Sequence, residues 1–473
     1  METRTIKLGL SVPLFAASLA AILIGAPLLG LTGVWGFLVK GLAVPQYLKT
    51  LHAHVSWWSV VILIASLILP SISLKPAIRK IIIGGCFVVI PAYVLLMILH
   101  YAVQSFVLDF GSVGTFYVSA FGFLGFLTEI SFFAAMTAVS LLAAGFKIPF
   151  LTAENAPASK YDIASEIEVP RKTFSAYAVF LLVAVALGLF ILGQFTLQHK
   201  AVTPAALVNF HTHVGFFAIG LLMTSIAMSA VGAGFSIVEI VRKLGVVAVS
   251  AAIAGFSVFI VFNTHSAAWV APSLLYFAMM VMGWLALWGK FGLNPRGAHF
   301  HFVRGALIFI WGALLLFASV GPHLALNYDT DPNLTVTYKQ PASALNVGAY
   351  PDPLNYPGTA PNKGMPRGLE NLHLSPSSWA HVAIFWLIIL LVFGEKIFQT
   401  VGKPNMIFLM AVTIAQAPVL NAVGRIGAWA NLPGGVGPLF LVAHPLKTLN
   451  ILMLIIIAAV WMKKRKRENE TAS

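Results

Sequence analysis

The sequence predicts an all-α integral membrane protein: twelve transmembrane helices in a pseudo-threefold arrangement of four-helix repeats. Three observations predict it. Hydrophobic residues make up 59% of the 473 residues and charged residues only 9%, far too little charge to cover a water-soluble protein of this size. Apolar runs near the roughly 20 residues needed to cross a bilayer recur along the whole chain. A short histidine motif returns at nearly constant spacing at the mouths of three of those runs.

The runs cover 8–38, 51–74, 80–107, 114–145, 173–198, 206–240, 245–270, 272–290, 303–325, 378–400, 405–428 and 437–461. The first starts at Leu8 and has no small-residue cleavage site before a polar start, so it reads as a span and not as a cleavable signal peptide. An even number of spans puts both termini on one side. The basic residues choose that side. Arg4 and Lys7; Lys75, Arg79 and Lys80; Lys147, Lys160, Arg171 and Lys172; Arg242 and Lys243; Lys290, Arg296 and Arg304; Lys396 and Lys403; and the 463–467 run KKRKR all fall on the side of the N-terminus. They are most of the 29 Lys and Arg. The positive-inside rule then gives a multi-pass cell-membrane protein with both termini cytoplasmic. Topology thus accounts for the net charge of +14, and the basic tail 463–473 reads as an anchor in the anionic headgroup layer, with no nucleic acid implied.

Three units follow: helices 1–4 in 1–145, a cytoplasmic loop and helices 5–8 in 146–290, and helices 9–12 in 291–473. A long polar loop at 326–377, on the outer side, carries the sequon Asn333-Leu334-Thr335. A loop of this length is either a docking surface or an ordered cap.

The repeat rests on LHAHV (51–55), FHTHV (210–214) and SWAHV (378–382). The first two align at a shift of 159 residues and are followed by aromatics, Trp57-Trp58 and Phe216-Phe217. The third lies 168 further on, keeps the second histidine as His381 and has Trp379 in place of the first. His100 and His265 match near the ends of spans 3 and 7. Such a period marks an internally repeated architecture. With the termini inside, all 13 histidines except His299 and His301 lie at the outer level. Those two flank a basic cytoplasmic loop and read as solvated. A single histidine in a span is most often satisfied by a backbone carbonyl; the layer as a whole points to a cofactor.

Cys86 is the one cysteine, which excludes disulfides, Cys-rich metal sites and covalent haem attachment, and leaves nitrogen and oxygen as metal ligands. Residues two apart on a helix point about 200° apart. His52 and His54 therefore face different neighbours, as do His211 and His213. Imidazoles facing each other across a bundle suit a six-coordinate haem, whereas three histidines from two helices suit copper. The aromatics after each pair suit either porphyrin packing or the interfacial belt. Glu129, near the middle of span 4, is the intramembrane carboxylate, a candidate proton relay or quinol-site base.

On these residues the chain resembles subunit I of the haem–copper oxidase superfamily (cytochrome c/quinol oxidase polypeptide I-like), as a divergent member. The resemblance covers the twelve-helix plan, the threefold repeat and the histidines of helices 2, 6, 7 and 10. It implies a low-spin haem, b-type, held by His52 and His381, with Arg425 as a propionate clamp. It also shows departures. Trp379 stands where the family has the ligand of its oxygen-reacting haem, Gly215 where the main oxidases have tyrosine, and His211 with His265 where a fuller copper set belongs. His54, His100, His211, His213 and His265 remain candidates for a rearranged second site, haem or copper. The implied function is electron transfer between membrane quinol and an outer-face partner, within a respiratory complex. The alternatives are a terminal oxidase or nitric oxide reductase with a rearranged centre, and a haem-free transporter or structural subunit. No lysine lies mid-span in helices 6–8, so a proton pump of the usual design is not expected.

Overall fold

The computed structural model of the chain describes residues 4–25, 46–106, 111–153, 159–191, 205–262, 267–297, 299–327, 365–414 and 437–472. Among them the chain forms helices α1 (Val12–Leu23), α2 (Gln46–Ile68), α3 (Pro76–Phe106), α4 (Gly111–Ala143), α5 (Arg171–Ile191), α6 (Ala205–Val231), α7 (Phe235–Phe262), α8 (Ala267–Leu287), α9 (Phe300–Asn327), α10 (Met365–Val401), α11 (Lys403–Ile414) and α12 (Gly437–Ala472). Nine of these, among the described residues, are long and apolar enough to cross a membrane. The chain is a helical, multi-pass membrane protein.

The helices divide into two layers. In the apolar windows of α2, α6 and α10, 72%, 83% and 78% of residues are buried, against 22% to 50% in the other six. A helix that is apolar all round must be wrapped by protein or by lipid. These three are wrapped by protein, and the outer ones turn residues such as Ile81, Leu95, Leu316 and Ile456 outward. The inner three are the helices that carry the histidine motif.

The start of the chain departs from expectation. Thr5–Ser11 is a strand, β1, paired antiparallel with β2 (Asp162–Pro170), so Leu8 to Ser11 belong to a sheet and not to the first span. The cause is legible in TIKLGLS. Ile6, Leu8 and Leu10 alternate with Lys7, Gly9 and Ser11, a period of two that suits a half-buried strand. β1 precedes α1 and β2 follows α4, so the pairing closes the first four helices into a unit with both ends on one face.

That face gathers the turns. Leu74 bridges to Thr152. Arg79 donates to Asp162 at 2.6 Å and to the Leu69 carbonyl at 3.0 Å, a buried pair tying α3 to β2. The backbone of Asn294 donates to the Val231 carbonyl, and Gly234 to that of Phe291. Gly232 has φ 89°, and a Cβ there would lie 2.6 Å from that of Asn294. Only glycine suits both constraints, and this turn ends α6 at Val231, short of the expected 240.

Three further boundaries differ. α10 begins at Met365, so the last part of the expected 326–377 loop is helical; Pro366 in its first turn suits a helix start. α12 continues through the basic run as far as Ala472. His299 is not solvated. It is buried at the start of α9, its Nδ1 lies 3.4 Å from Glu395, its Nε2 lies 3.3 Å from the Leu391 carbonyl, and its ring packs on Gly394. His301 is exposed, as expected.

Candidate functional site

α2 and α6 present their first histidine in the same way. His52 Nδ1 lies 2.7 Å from the Gly25 carbonyl, and His211 Nδ1 lies 2.6 Å from the Ala184 carbonyl. Each acceptor is 27 residues before its histidine, so the two bonds are related by the same shift of 159 as the motifs. A carbonyl only accepts, so Nδ1 carries the proton in both rings and Nε2 carries the lone pair. A metal-bound imidazole makes this orienting contact, and so does a structural histidine in a span.

Close helix packing makes both bonds. At Gly25 a Cβ would come within 2.8 Å of Ser56 N, and at Gly188, one turn past Ala184, within 2.8 Å of His211 Cε1. Bare backbone lets α1 approach α2, and lets the His211 ring lie on α5.

The second histidines point elsewhere, as their spacing requires. The His54 ring faces that of His211 across α2 and α6, with centroids 6.3 Å apart and planes 32° apart. The His213 ring faces Phe217 and Phe256, at 5.9 and 5.4 Å. His381 of α10 is buried among aromatics, 6.1 Å from Trp57 and 5.5 Å from Phe216. Trp57 and Phe216 touch at 3.8 Å. One ring from each inner helix thus meets at the centre, and His381 is the polar one.

Two other predicted residues are buried, on α4 and α3. Glu129 is 7% exposed on α4, one turn before Phe132 and Phe133, which pack on Trp58 at 4.9 and 5.4 Å. His100 is buried on α3. His265 and Arg425 lie outside the described residues, as does most of the 326–377 loop with its sequon. No three His, Cys, Asp or Glu among the described residues gather to hold a metal ion.

Sequence reading missed Lys447. It is 1% exposed on α12, with its Nζ 3.8 Å from the centre of the Trp379 ring. One turn on, buried Asn450 donates to Thr413 Oγ1 at 2.9 Å. The signal was available, because a lysine within an apolar run marks a buried or functional charge unless it reaches the interface. It stands ten residues into the 437–461 run.

No family model, curated protein or solved structure matches this chain.

Proposed function

We propose that this is a membrane haem protein of respiratory electron transfer, built on the plan of haem–copper oxidase subunit I: twelve crossings in three four-helix repeats, with both termini cytoplasmic. His52 and His381 are its axial ligands for a non-covalent, b-type haem. The observation that supports the reading is the repeated carbonyl bond to the first histidine on α2 and α6, which puts the proton on Nδ1 and makes Nε2 the nitrogen that would ligate. The residues present fit the group. His52 is held in the ligating tautomer, and His381 is buried among the aromatic side chains Trp57 and Phe216, surroundings that suit a porphyrin face. The inner position of α2, α6 and α10 and the matched hydrogen bonds support the repeat.

A bound haem supplies one-electron redox chemistry. The chain's part is to hold it and to exclude water. Quinol oxidation releases two electrons, which would leave one at a time through the haem to the outer-face partner, and two protons, of which one goes to the buried carboxylate of Glu129 and the other to water at the outer face. Membrane quinol is the donor, and a partner at the outer face, within a respiratory complex, is the acceptor.

The test is an absorption spectrum of the purified protein in detergent. Haem bands are expected, and His52→Ala and His381→Ala should each abolish the low-spin signal of their site. Absence of haem would end the reading. Two axial imidazoles leave no open iron position, so carbon monoxide should not change the reduced spectrum. A shift would favour the oxidase or reductase alternative.

A further inference from the structure

We propose a second iron-porphyrin station, between α2 and α6, with His54 and His211 as its axial ligands. This inference rests on the haem reading above and extends it to a pair of residues on a different side of α2.

The geometry is that of two rings flanking one metal. Two metal–nitrogen bonds of about 2 Å, with a ring beyond each nitrogen, put ring centres roughly 6 Å apart. The observed separation is 6.3 Å. A direct hydrogen bond between the rings, with nitrogens about 3 Å apart, would bring the centres to roughly 5 Å. At a tilt of 32° the rings are neither stacked nor edge-to-face. His211 is held in the ligating tautomer by the Ala184 carbonyl, with Gly188 beneath the ring.

The donor set selects the ligand. A bare zinc or copper ion takes three or four protein ligands; among the described residues no third His, Cys, Asp or Glu joins this pair, and His265 lies outside them. An iron porphyrin brings four nitrogens of its own and asks the protein for two. One turn further along α2, Trp57 meets Phe216 and closes the gap between the helices.

One rule generates both stations. His54 is the second histidine of its motif and faces the first of the next motif, His211. The same combination of second with first joins His381 to His52. For the remaining pair the rule gives His213 with Trp379, and an indole does not ligate. The chain therefore has two stations out of three, with α2 contributing one ligand to each.

Haem-to-protein ratio and low-spin magnetic signals, measured on the full chain in detergent, test this. Two haems per chain are expected. His54→Ala and His211→Ala should each lower the ratio from two to one and remove one low-spin signal, while His52→Ala and His381→Ala remove the other. His54→Met and His211→Met keep an axial ligand and separate lost ligation from lost folding. Each should raise the midpoint potential of one haem and leave the other unchanged. The inference is overturned if the haem ratio and signals are the same in all four His54 and His211 variants. It is also overturned if those variants lose stoichiometric copper or zinc while haem content is unchanged. A chain with one haem, lost only in the His52 and His381 variants, sinks this inference and leaves the functional reading standing. A chain with no haem sinks both.

Discussion

On α2 and α6 the first position of the histidine motif is an imidazole bonded to a carbonyl 27 residues earlier, at 2.7 and 2.6 Å. On α10 the aligned residue is Trp379, and a buried lysine lies over its face at 3.8 Å. The three helices are the most buried of the nine candidate spans, yet two present an imidazole bonded to a carbonyl and one presents a packed indole. The difference teaches that helix placement and site chemistry are separable: an inner helix keeps its place through apolar packing, whichever side chain stands at the motif. A carbonyl-held imidazole has its proton on Nδ1 and an acceptor at Nε2, whereas an indole under an ammonium is a closed arrangement that stabilises the bundle.

Breaking the closed arrangement has the largest expected effect. Trp379→Ala removes a ring that is only 6% exposed and takes away the face beneath the Lys447 ammonium. Burial of that size is worth about 3–5 kcal/mol on truncation, read as a fall in thermal stability in detergent. Adding Lys447→Met should recover part of the loss, since an apolar side chain then faces the space the ring vacated. Haem content of the folded fraction should stay at the wild-type value. If haem falls while stability holds, Trp379 contacts the cofactor and the contrast between α10 and its two counterparts fails.

Two glycines sharpen the contrast between α2 and α6 themselves. In Gly25→Ala the new methyl would lie 2.8 Å from Ser56 N and 3.0 Å from Val55 Cγ1. The first contact is backbone, so α1 must move off α2 and carry the Gly25 carbonyl away from His52. Overpacking of this kind costs about 1–3 kcal/mol. Gly188→Ala meets only the His211 ring, which can swing aside, so its cost is mainly the lost bond to Ala184, about 0.5–1.5 kcal/mol. Low-spin signals should assign the effects: Gly25→Ala disturbs the His52 site, and Gly188→Ala the His211 site. The same signal changing in both variants would break the assignment.

Much of this was legible in the sequence because periodicity and charge placement act over long stretches. The motif shift of 159 picked out α2 and α6, and the further 168 picked out α10; these are the three most buried of the nine candidate spans among the described residues. The spacing of His52 and His54 foretold that they face different neighbours. The rest depended on contacts between distant segments. The strand at Thr5–Ser11 has a period of two, but seven residues of alternation are swallowed by the longer apolar run behind them. The burial of His299 follows from Gly394 and Glu395, nearly a hundred residues away. The carbonyls of Gly25 and Ala184 have no side chain of their own to announce them. The facing of His54 and His211 depends on how α2 and α6 meet, which a one-dimensional pattern does not fix.

The smallest effect belongs to the sheet at the opposite end of the bundle from the motif, where Lys7 meets Glu166 at 2.9 Å with both side chains mostly exposed. The hydrogen bond to Glu166, and then its charge, raise the Lys7 pKa above its ordinary value. The same bond and the Lys7 charge lower that of Glu166. The signs set the pH window. The carboxylate's contribution is present above the ordinary glutamate value and is lost as pH falls through the lowered one. The ammonium's contribution is present below the ordinary lysine value and is lost as pH rises through the raised one. Between those limits the pair is intact, but solvent and salt screen it. Lys7→Gln should therefore leave thermal stability at neutral pH and high salt unchanged and leave the haem ratio at its wild-type value. At low salt it should flatten the acid and alkaline shoulders of the stability profile. A large loss at neutral pH and high salt would mean that the sheet edge holds the bundle through something other than this ion pair. A change in haem ratio would mean that the capped end and the histidine level are mechanically linked, contrary to the separability drawn from α2, α6 and α10.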